Sequence, residues 1–128
     1  MPKLKDRAGE PIPQFLTIGD PEDNLHYLTD DETFHTVIDA NYNGDQCIVL
    51  PPGQNGMDLL IYRSIADSLA IGPAPGEIIC LNGTNLSADA LITVGSPAVS
   101  DYIHLIWCGT KWRNFEMSGT WILFEEEE

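Results

Sequence analysis

The sequence predicts an all-β protein, a compact antiparallel sandwich or short barrel preceded by an extended N-terminal arm. Two observations lead to this prediction. Short apolar runs recur about every ten residues through most of the 128-residue chain, and turn-forming Gly, Pro, Asn or Asp residues separate them. Helix signals are weak by comparison. Strands at this spacing, with turns between them, are typical of sandwiches and barrels.

Ten apolar runs are the candidate strands. They are residues 25–28, 33–39, 46–50, 57–62, 68–71, 77–81, 90–94, 102–108, 112–117 and 120–124. The run 112–117 alternates, which places Trp112, Asn114 and Glu116 on one face and Arg113, Phe115 and Met117 on the other, with one uneven step at Trp112. Runs that are apolar throughout are expected to be central strands.

The residues between the runs suit tight reversals. The turn segments are Asn43-Gly44-Asp45, Pro51-Pro52-Gly53, Asn55-Gly56, Pro73-Ala74-Pro75-Gly76, Asn82-Gly83 and Ser118-Gly119. The best helix candidate spans 29–39, where Thr29 and Glu32 could form a capping box, but its β-branched residues favour a strand. No residue pattern repeats at a fixed period, which argues against a propeller or a long solenoid.

The chain divides into an N-terminal arm over 1–20, a body over 21–124 and an acidic tail over 125–128. Prolines without apolar periodicity predict an extended arm, which also holds half of the chain's basic residues. Both ends could simply be solvated, or the arm could dock on an acidic neighbouring subunit. The residues predicted to contact partners are Lys3, Lys5, Arg7, Pro11, Pro13, Phe15 and Trp112.

A formal net charge of −14 and a pI near 4.2 argue against nucleic-acid binding, which depends on clustered Lys and Arg. No apolar stretch is long enough for a transmembrane helix, and the first residues lack the apolar middle of a secretory signal. We therefore expect a soluble protein made in a cytoplasm, with no membrane partner. The acidity favours solubility and could complement a basic partner.

The three cysteines, Cys47, Cys80 and Cys108, lie in apolar runs and have no C-x-x-C spacing. We expect buried, reduced thiols, and neither a disulfide framework nor a zinc site. Among the tryptophans, Trp107 and Trp121 are expected in the core because each lies in an apolar run. Trp112 stands between Lys111 and Arg113 and is expected at the surface.

A search of the sequence for chemistry predicts no catalytic, cofactor or metal site. His26, His35 and His104 lie in separate strand-like runs, without the His-x-His from which a cupin-type metal site is built. No Gly-x-Ser-x-Gly elbow accompanies the serines. A carboxylate pair of a small hydrolase remains an alternative, drawn from Asp58, Asp67, Glu77, Asp101 and Glu116.

A series of turn and core motifs runs through the segment from 37 to 121. The motifs are Ile38-Asp39, Leu50-Pro51-Pro52, Gly56, Leu59-Leu60-Ile61, Pro75-Gly76-Glu77-Ile78, Asn82-Gly83, Ile106-Trp107 and Gly119-Thr120-Trp121. With these residues the segment resembles a module of bacteriophage virion proteins. The chain departs from the family pattern in the Cys108-to-Trp112 stretch. Family members more often carry an acidic residue before the glycine, where this chain has Cys108. The resemblance implies a β-rich and typically trimeric protein of a phage head or tail.

From these observations we expect a structural virion protein that is not an enzyme. The leading hypothesis is a trimeric capsid decoration (cement) protein that binds the outer shell and stabilises it, with itself and the major capsid or another virion protein as partners. The alternative is a tail-fibre or tail-tip subunit that binds a host receptor or glycan through residues such as Trp112 and Tyr102. A third hypothesis is the small β-sandwich hydrolase.

Overall fold

The computed structural model describes residues 13–19, 22, 24–94 and 101–124. Its strands are β1 (Gln14–Ile18), β2 (Leu25–Tyr27), β3 (Phe34–Ala40), β4 (Gln46–Val49), β5 (Asp58–Arg63), β6 (Leu69–Gly72), β7 (Ile79–Leu81), β8 (Thr84–Asn85), β9 (Ile92–Val94), β10 (Asp101–Trp107), β11 (Trp112–Ser118) and β12 (Trp121–Leu123). One short 3-10 helix, Asp30–Glu32, precedes β3. Within the described ranges, no helix is long and apolar enough to cross a membrane.

The strands form two sheets, which confirms the all-β sandwich. The seven-stranded sheet has the order β1-β3-β5-β10-β11-β7-β8, and the five-stranded sheet has the order β12-β9-β6-β4-β2. The sheets are mixed, however, and not purely antiparallel. Half of the ten strand pairs among the described residues are parallel, and they include every pair among the first six strands.

The first six strands wind as a flat coil, because successive strands alternate between the two sheets. Thus β1, β3 and β5 lie side by side in one sheet, and β2, β4 and β6 lie side by side in the other. Gln14 pairs with Thr36 and Thr36 with Leu59, while Leu25 pairs with Cys47 and Gln46 with Leu69. Each turn of the coil therefore takes about 22 to 24 residues. This short solenoid has no residue repeat.

The later strands close the sandwich by mainly antiparallel pairing. β10 lies between β5 and β11, and β9 lies between β6 and β12, so each sheet of the coil is extended on one side. β7 pairs in parallel with β11 and forms a hairpin with β8. The opposite sides of the coil, at β1 and β2, have no further strand among the described residues.

One core fills the space between the sheets, because alternate residues of the central strands point inward. Its fully buried members are Ile38, Ile48, Met57, Leu59, Ile61, Leu69, Ile71, Ile79, Ile92, Ile103, Leu105 and Trp112. Burying one Leu or Ile side chain stabilises a fold by about 1.5–3 kcal/mol relative to leaving it exposed. The alternating and fully apolar runs of the sequence are thus the strands that enclose this core.

A β-bulge in β11 changes the predicted faces of that strand. Ile103 pairs with Met117 and Leu105 with Asn114, so two residues of β11 lie opposite His104. Met117 consequently packs against the core, on the face that Trp112 occupies, whereas the simple alternation placed it with Phe115. The extra residue leaves both Phe115 and Glu116 exposed.

Gly53, in the Pro-Pro-Gly turn between β4 and β5, brings the backbone against the indole of Trp107. A side chain at this position would begin 2.1 Å from a ring carbon of Trp107, so only glycine fits. The N–H of Gly53 donates to both carboxylate oxygens of Glu77 at 3.1 Å. Two contacts of this turn therefore fix one end of the sandwich. The Gly53 backbone lies close to the Trp107 ring, and the Gly53 N–H is hydrogen-bonded to the charged carboxylate of Glu77.

The body begins earlier than the predicted boundary at residue 20. Residues 14–18 form β1 against β3, and Ile18 is buried in the core. The predicted strand over 29–39 is also modified at its start. Glu32 accepts a hydrogen bond from the Thr29 backbone N–H at 2.8 Å, as a capping box requires, and a 3-10 turn intervenes before β3.

Arg63, the last residue of β5, is fully buried and holds the coil together at one end. Its guanidinium donates to the carbonyl oxygens of Ala40 (3.1 Å), Gly44 and Asp67 (3.0 Å), and to the side-chain oxygen of Gln46 at 2.7 Å. Burial lowers the pKa of Arg63, and nearby carboxylates, that of Asp67 first, oppose the change. The group remains charged, since arginine has a very high intrinsic pKa.

We expect Arg63→Met to lower the free energy of unfolding by at least about 3 kcal/mol, because several buried acceptors lose their donor. Urea unfolding followed by tryptophan fluorescence measures this loss. The matched control is Arg113→Met, at an exposed arginine, which should change stability by less than about 0.5 kcal/mol. Equal effects of the two substitutions would contradict the assigned role of Arg63.

Candidate functional site

The outer face of the seven-stranded sheet carries a row of apolar and aromatic side chains that crosses five strands. Phe15 pairs with Val37, Val37 with Leu60, and Leu60 with His104. The imidazole of His104 lies 6.1 Å from the ring of Phe115, measured between centroids. We call these five residues the outer row.

The two ends of the outer row are much more exposed than its middle. Phe15 is 64% exposed and Phe115 is 69% exposed, whereas the three residues between them are half-buried. The ring of Phe15 also lies 6.4 Å from that of Tyr62 on the same face. Single exposed apolar side chains are ordinary, but a continuous apolar patch marks an interaction surface.

Two histidines and an aspartate meet beside the outer row. His104 Nε2 makes a short hydrogen bond with one carboxylate oxygen of Asp58, and His35 Nδ1 lies 3.5 Å from the other oxygen. The imidazoles act as donors, since an ionised carboxylate can only accept. Asp58 therefore holds one imidazole from β3 and one from β10 on either side of its own strand.

Backbone irregularity positions His35 for this contact. The register of β3 and β5 shifts between Phe34 and Thr36, and His35 at the shift has a φ of 52°, in the left-handed region. A non-glycine residue in this conformation costs about 1–2 kcal/mol. This left-handed backbone conformation directs the imidazole of His35 towards Asp58. The strand of Asp58, β5, is regular at this point.

The cluster orients two imidazoles but does not complete a catalytic set. Within the described part of the chain, the hydrogen bonds of His35 and His104 go to Asp58 alone. No group of three or more His, Cys, Asp or Glu residues in this part is placed to hold a metal ion.

A shallow concavity of about 430 Å³ lies next to the row, at the hairpin between β10 and β11. Its lining includes Ile106, Cys108, Arg113 and Phe115. Burial raises the pKa of the Cys108 thiol, but hydrogen bonds from Thr110 and from the Lys111 backbone, with the charge of Lys111, outweigh it, so the pKa is lowered. Cys108 is also exposed, and a lowered pKa favours the thiolate, which is the reactive form of a thiol.

The predicted partner-contacting residues divide into three groups. Lys3, Lys5, Arg7 and Pro11 lie outside the described residues. Pro13 and Phe15 are exposed, and Phe15 begins the outer row. Trp112 is fully buried, so its prediction as a surface residue is wrong: its ring packs edge-on against Trp107 at 5.7 Å between centroids.

The other tryptophans and the cysteines were predicted to be buried, and the structure confirms this only in part. Trp121 is in the core as predicted, while Trp107 is only half-buried. Cys80 is buried as predicted, Cys47 is half-buried, and Cys108 is exposed because it begins the hairpin loop after β10. An apolar run does not reveal where its strand ends, which is why Cys108 was placed in the core.

Sequence reasoning missed the cluster of His35, Asp58 and His104. These residues are separated by 23 and 46 positions, and only the register of β3, β5 and β10 brings them together. The one available signal was that each is a polar residue within a strand-like run. Polar residues in such runs indicate an outer sheet face, but not which of them meet.

Comparison with known proteins adds no relative to these observations: no protein-family model matches the chain, and no curated protein matches it. The functional argument therefore depends on the fold and on the geometry of the outer face.

The strain at His35 predicts that glycine is better than alanine at this position. His35→Gly and His35→Ala both remove the imidazole, but only glycine relieves the positive φ, so we expect the Gly variant to be more stable by about 0.5–1 kcal/mol. The control pair is Val37→Gly and Val37→Ala in the same strand. At Val37 we expect the opposite order, with the alanine variant more stable than the glycine variant. Urea unfolding that gives the same order of stability at both positions would contradict the strain assigned to His35.

The lowered pKa of Cys108 predicts selective alkylation. With limiting iodoacetamide, Cys108 should react first and reach half its maximal rate at a pH below the ordinary value of about 8.5. Burial raises the pKa of Cys47, so this thiol should react at higher pH. Peptide mass spectrometry across a pH series measures both, with Cys108→Ser as the control. Faster modification of Cys47 would contradict the assignment.

Proposed function

We propose that this protein is a structural subunit of a bacteriophage particle, a capsid decoration (cement) protein that binds the outer shell as a homotrimer. The outer row is the observation that carries the proposal. Its exposed aromatic ends and its half-buried middle, which consists of Val37, Leu60 and the imidazole of His104, form a continuous stripe across the larger sheet. Such a stripe suits a contact between protein subunits, in which aromatic residues are enriched.

A trimer fits the asymmetry of this face. In a threefold assembly each subunit uses two different patches, one for each neighbour. The outer row has two different exposed ends, at Phe15 on the edge strand and at Phe115 beside the bulge. Contact between one subunit's Phe115 end and the next subunit's Phe15 end would remove both aromatic rings from water.

The charge of the chain sets a condition on that contact. Subunits with a formal net charge of −14 repel one another, and salt screens the repulsion. Association therefore has to come from apolar burial, which the outer row can supply. Lys3, Lys5 and Arg7 would supply the complementary charge towards acidic neighbours.

The phage assignment is supported by the resemblance of segment 37–121. Its motif residues include the turn before Gly53, the glycine turn before β7, the β7–β8 hairpin and the turn into β12. These positions are turn and core residues that define the fold, which fits a structural subunit. The proposed partners are further copies of this chain and the major capsid or another virion protein.

The tail-tip alternative, which binds a receptor or glycan, has less support. Of the two aromatic residues suggested for it, Trp112 is buried and cannot stack on a sugar. Tyr102 remains on the outer face, half-buried and paired with Tyr62 across the strands.

We expect the wild-type chain to sediment as a trimer and Phe115→Glu to sediment as a monomer, because the substitution places a charge within an apolar contact. Analytical ultracentrifugation at about 0.15 M ionic strength, where the Debye length is about 8 Å, measures both states. The control is Phe124→Ser, which removes an exposed aromatic residue beyond β12 on the other sheet. It should leave the trimer intact.

Particles of a phage that encodes this chain should carry the wild-type protein and lose the Phe115→Glu variant, as judged by mass spectrometry and cryo-EM of purified particles. A monomeric wild-type chain, or a trimer that survives Phe115→Glu, would reject the proposed contact. Absence of the wild-type protein from the particles would reject the virion role.

A further inference from the structure

The outer face of the five-stranded sheet carries two apolar rows, and each row crosses all five strands. The first row consists of directly paired residues, one from each strand: Leu25, Cys47, Ala70, Thr93 and Ile122. They lie on the outer face because they alternate along their strands with core residues such as Ile48, Ile71 and Ile92. The first row is therefore the counterpart, on this sheet, of the outer row on the larger sheet.

The second row lies two residues along each strand from the first and consists of Tyr27, Val49, Gly72, Leu91 and Phe124. The Leu91 side chain lies over Gly72, since a Cβ at Gly72 would be 2.2 Å from a methyl carbon of Leu91. The Phe124 N–H donates to the Leu91 carbonyl at 2.8 Å. A glycine in β6, the central strand of this sheet, thus keeps the second row continuous.

We call the residues of both rows the five-stranded face, and none of their side chains carries a charge. The Thr93 hydroxyl is satisfied within the sheet, because it donates to the Leu69 carbonyl at 2.8 Å. The edge strands are the most accessible part, with Tyr27 67% exposed and Ile122 46% exposed. Neighbouring strands lie about 4.8 Å apart, so each row extends about 19 Å across the sheet. A continuous apolar patch of this width marks an interaction surface.

Acidic residues border the five-stranded face at both ends of its strands. Glu22, Asp45 and Asp67 stand one to three positions before β2, β4 and β6, which run parallel, so these residues mark one end. Asp89 stands three positions before β9, which runs antiparallel to β6, and so marks the other end. Glu22, Asp45 and Asp89 are exposed.

The Lys and Arg residues that the structure describes lie away from this border. Arg63 is buried, and Lys111 and Arg113 belong to the β10–β11 hairpin of the larger sheet. Two copies of this chain placed face to face would bring acidic ends together in either orientation, because both ends are acidic. An apolar centre with an acidic border instead complements an apolar surface with a basic border.

We propose that the five-stranded face binds a partner protein whose surface has an apolar centre bordered by Lys and Arg side chains. Interfaces are commonly built in this way, with a desolvated apolar core and a polar rim that together bury about 800 Å² on each partner. The apolar rows supply the core of such an interface, and the acidic residues at the strand ends supply its rim.

The identity of the partner rests on the proposed function: for a cement protein, the partner is the capsid shell. The proposed trimer contact uses Phe15 and Phe115 of the larger sheet, so the five-stranded face stays free on every subunit. The two sheets would then divide the work, one for contact between subunits and the other for attachment to the shell.

Binding of the purified trimer to bare shells, taken from particles produced without this gene, tests the proposal by cosedimentation. Ile122→Glu should lower the affinity at least about tenfold, because it places a charge in the apolar centre. The matched control is Thr84→Glu, which adds the same charge at an exposed position of β8 in the larger sheet and should bind like the wild type. Both variants should sediment as trimers.

Carbodiimide cross-linking, which joins carboxylates to lysines, provides a second measurement on the wild-type complex. Peptide mass spectrometry should find Asp45 or Asp89 linked to lysines of the shell. Links that involve neither these residues nor Glu22 would overturn the basic border assigned to the partner.

The cosedimentation outcomes separate this inference from the proposed function. Wild-type affinity in Ile122→Glu, or an equal loss in Thr84→Glu, would overturn the assigned face while the cement role stands. Loss of the trimer in Ile122→Glu would overturn it as well, since a second copy would then cover the face. Failure of the wild-type trimer to bind bare shells would overturn both the cement role and the assigned partner.

Discussion

The coil depends on one buried cation. Arg63 ends β5 and donates to the carbonyl of Ala40 at the end of β3, to the Gly44 carbonyl after it, to the side chain of Gln46 at the start of β4, and to the Asp67 carbonyl in the loop before β6. Gln46, its partner in β4, donates in turn to the Ile18 carbonyl at the end of β1 at 3.0 Å. Every turn of the coil thus connects to the guanidinium directly or through Gln46.

A cation suits this position because of the parallel topology. Parallel strands need crossovers, and the ends of the crossovers leave carbonyl groups without partners in either sheet. Arginine offers five N–H donors in a planar fork, which no neutral side chain can match. A buried charge is expensive, but here all five N–H groups are directed at acceptors, the fifth of which is the Ser68 carbonyl at 3.4 Å, so the cost of desolvation is offset by hydrogen bonds.

The strands could be predicted from the sequence because both signals involved are local. Apolar runs and turn residues placed most strands within a few positions, as for 46–50 against Gln46–Val49 and 57–62 against Asp58–Arg63. Parallel pairing could not be predicted in this way, since it depends on which distant runs become neighbours. Without a residue repeat, nothing in the sequence indicated that turns of about 22 residues would stack.

Burial at the ends of strands was the second source of error, for a related reason. Trp112 was assigned to the surface from its charged neighbours, Lys111 and Arg113, yet alternation along a strand lets a buried side chain stand between exposed ones. The sequence prediction placed Phe15 in an extended arm that ends at residue 20, yet Ile18, in the same strand, is buried in the core. In both cases the neighbours along the chain were less informative than those across the sheet.

The candidate site is created by departures from regular pairing. The left-handed backbone at His35 turns one imidazole towards Asp58, and the bulge in β11 sets Phe115 beside the other imidazole. A regular sheet would have put alternate residues of both strands on the same faces throughout, with Met117 outside the core. Strained or bulged backbone persists only where the surrounding structure enforces it. One irregularity directs His35 to Asp58 and the other sets Phe115 against His104, which is bound to the same aspartate, so both shape one part of the outer face.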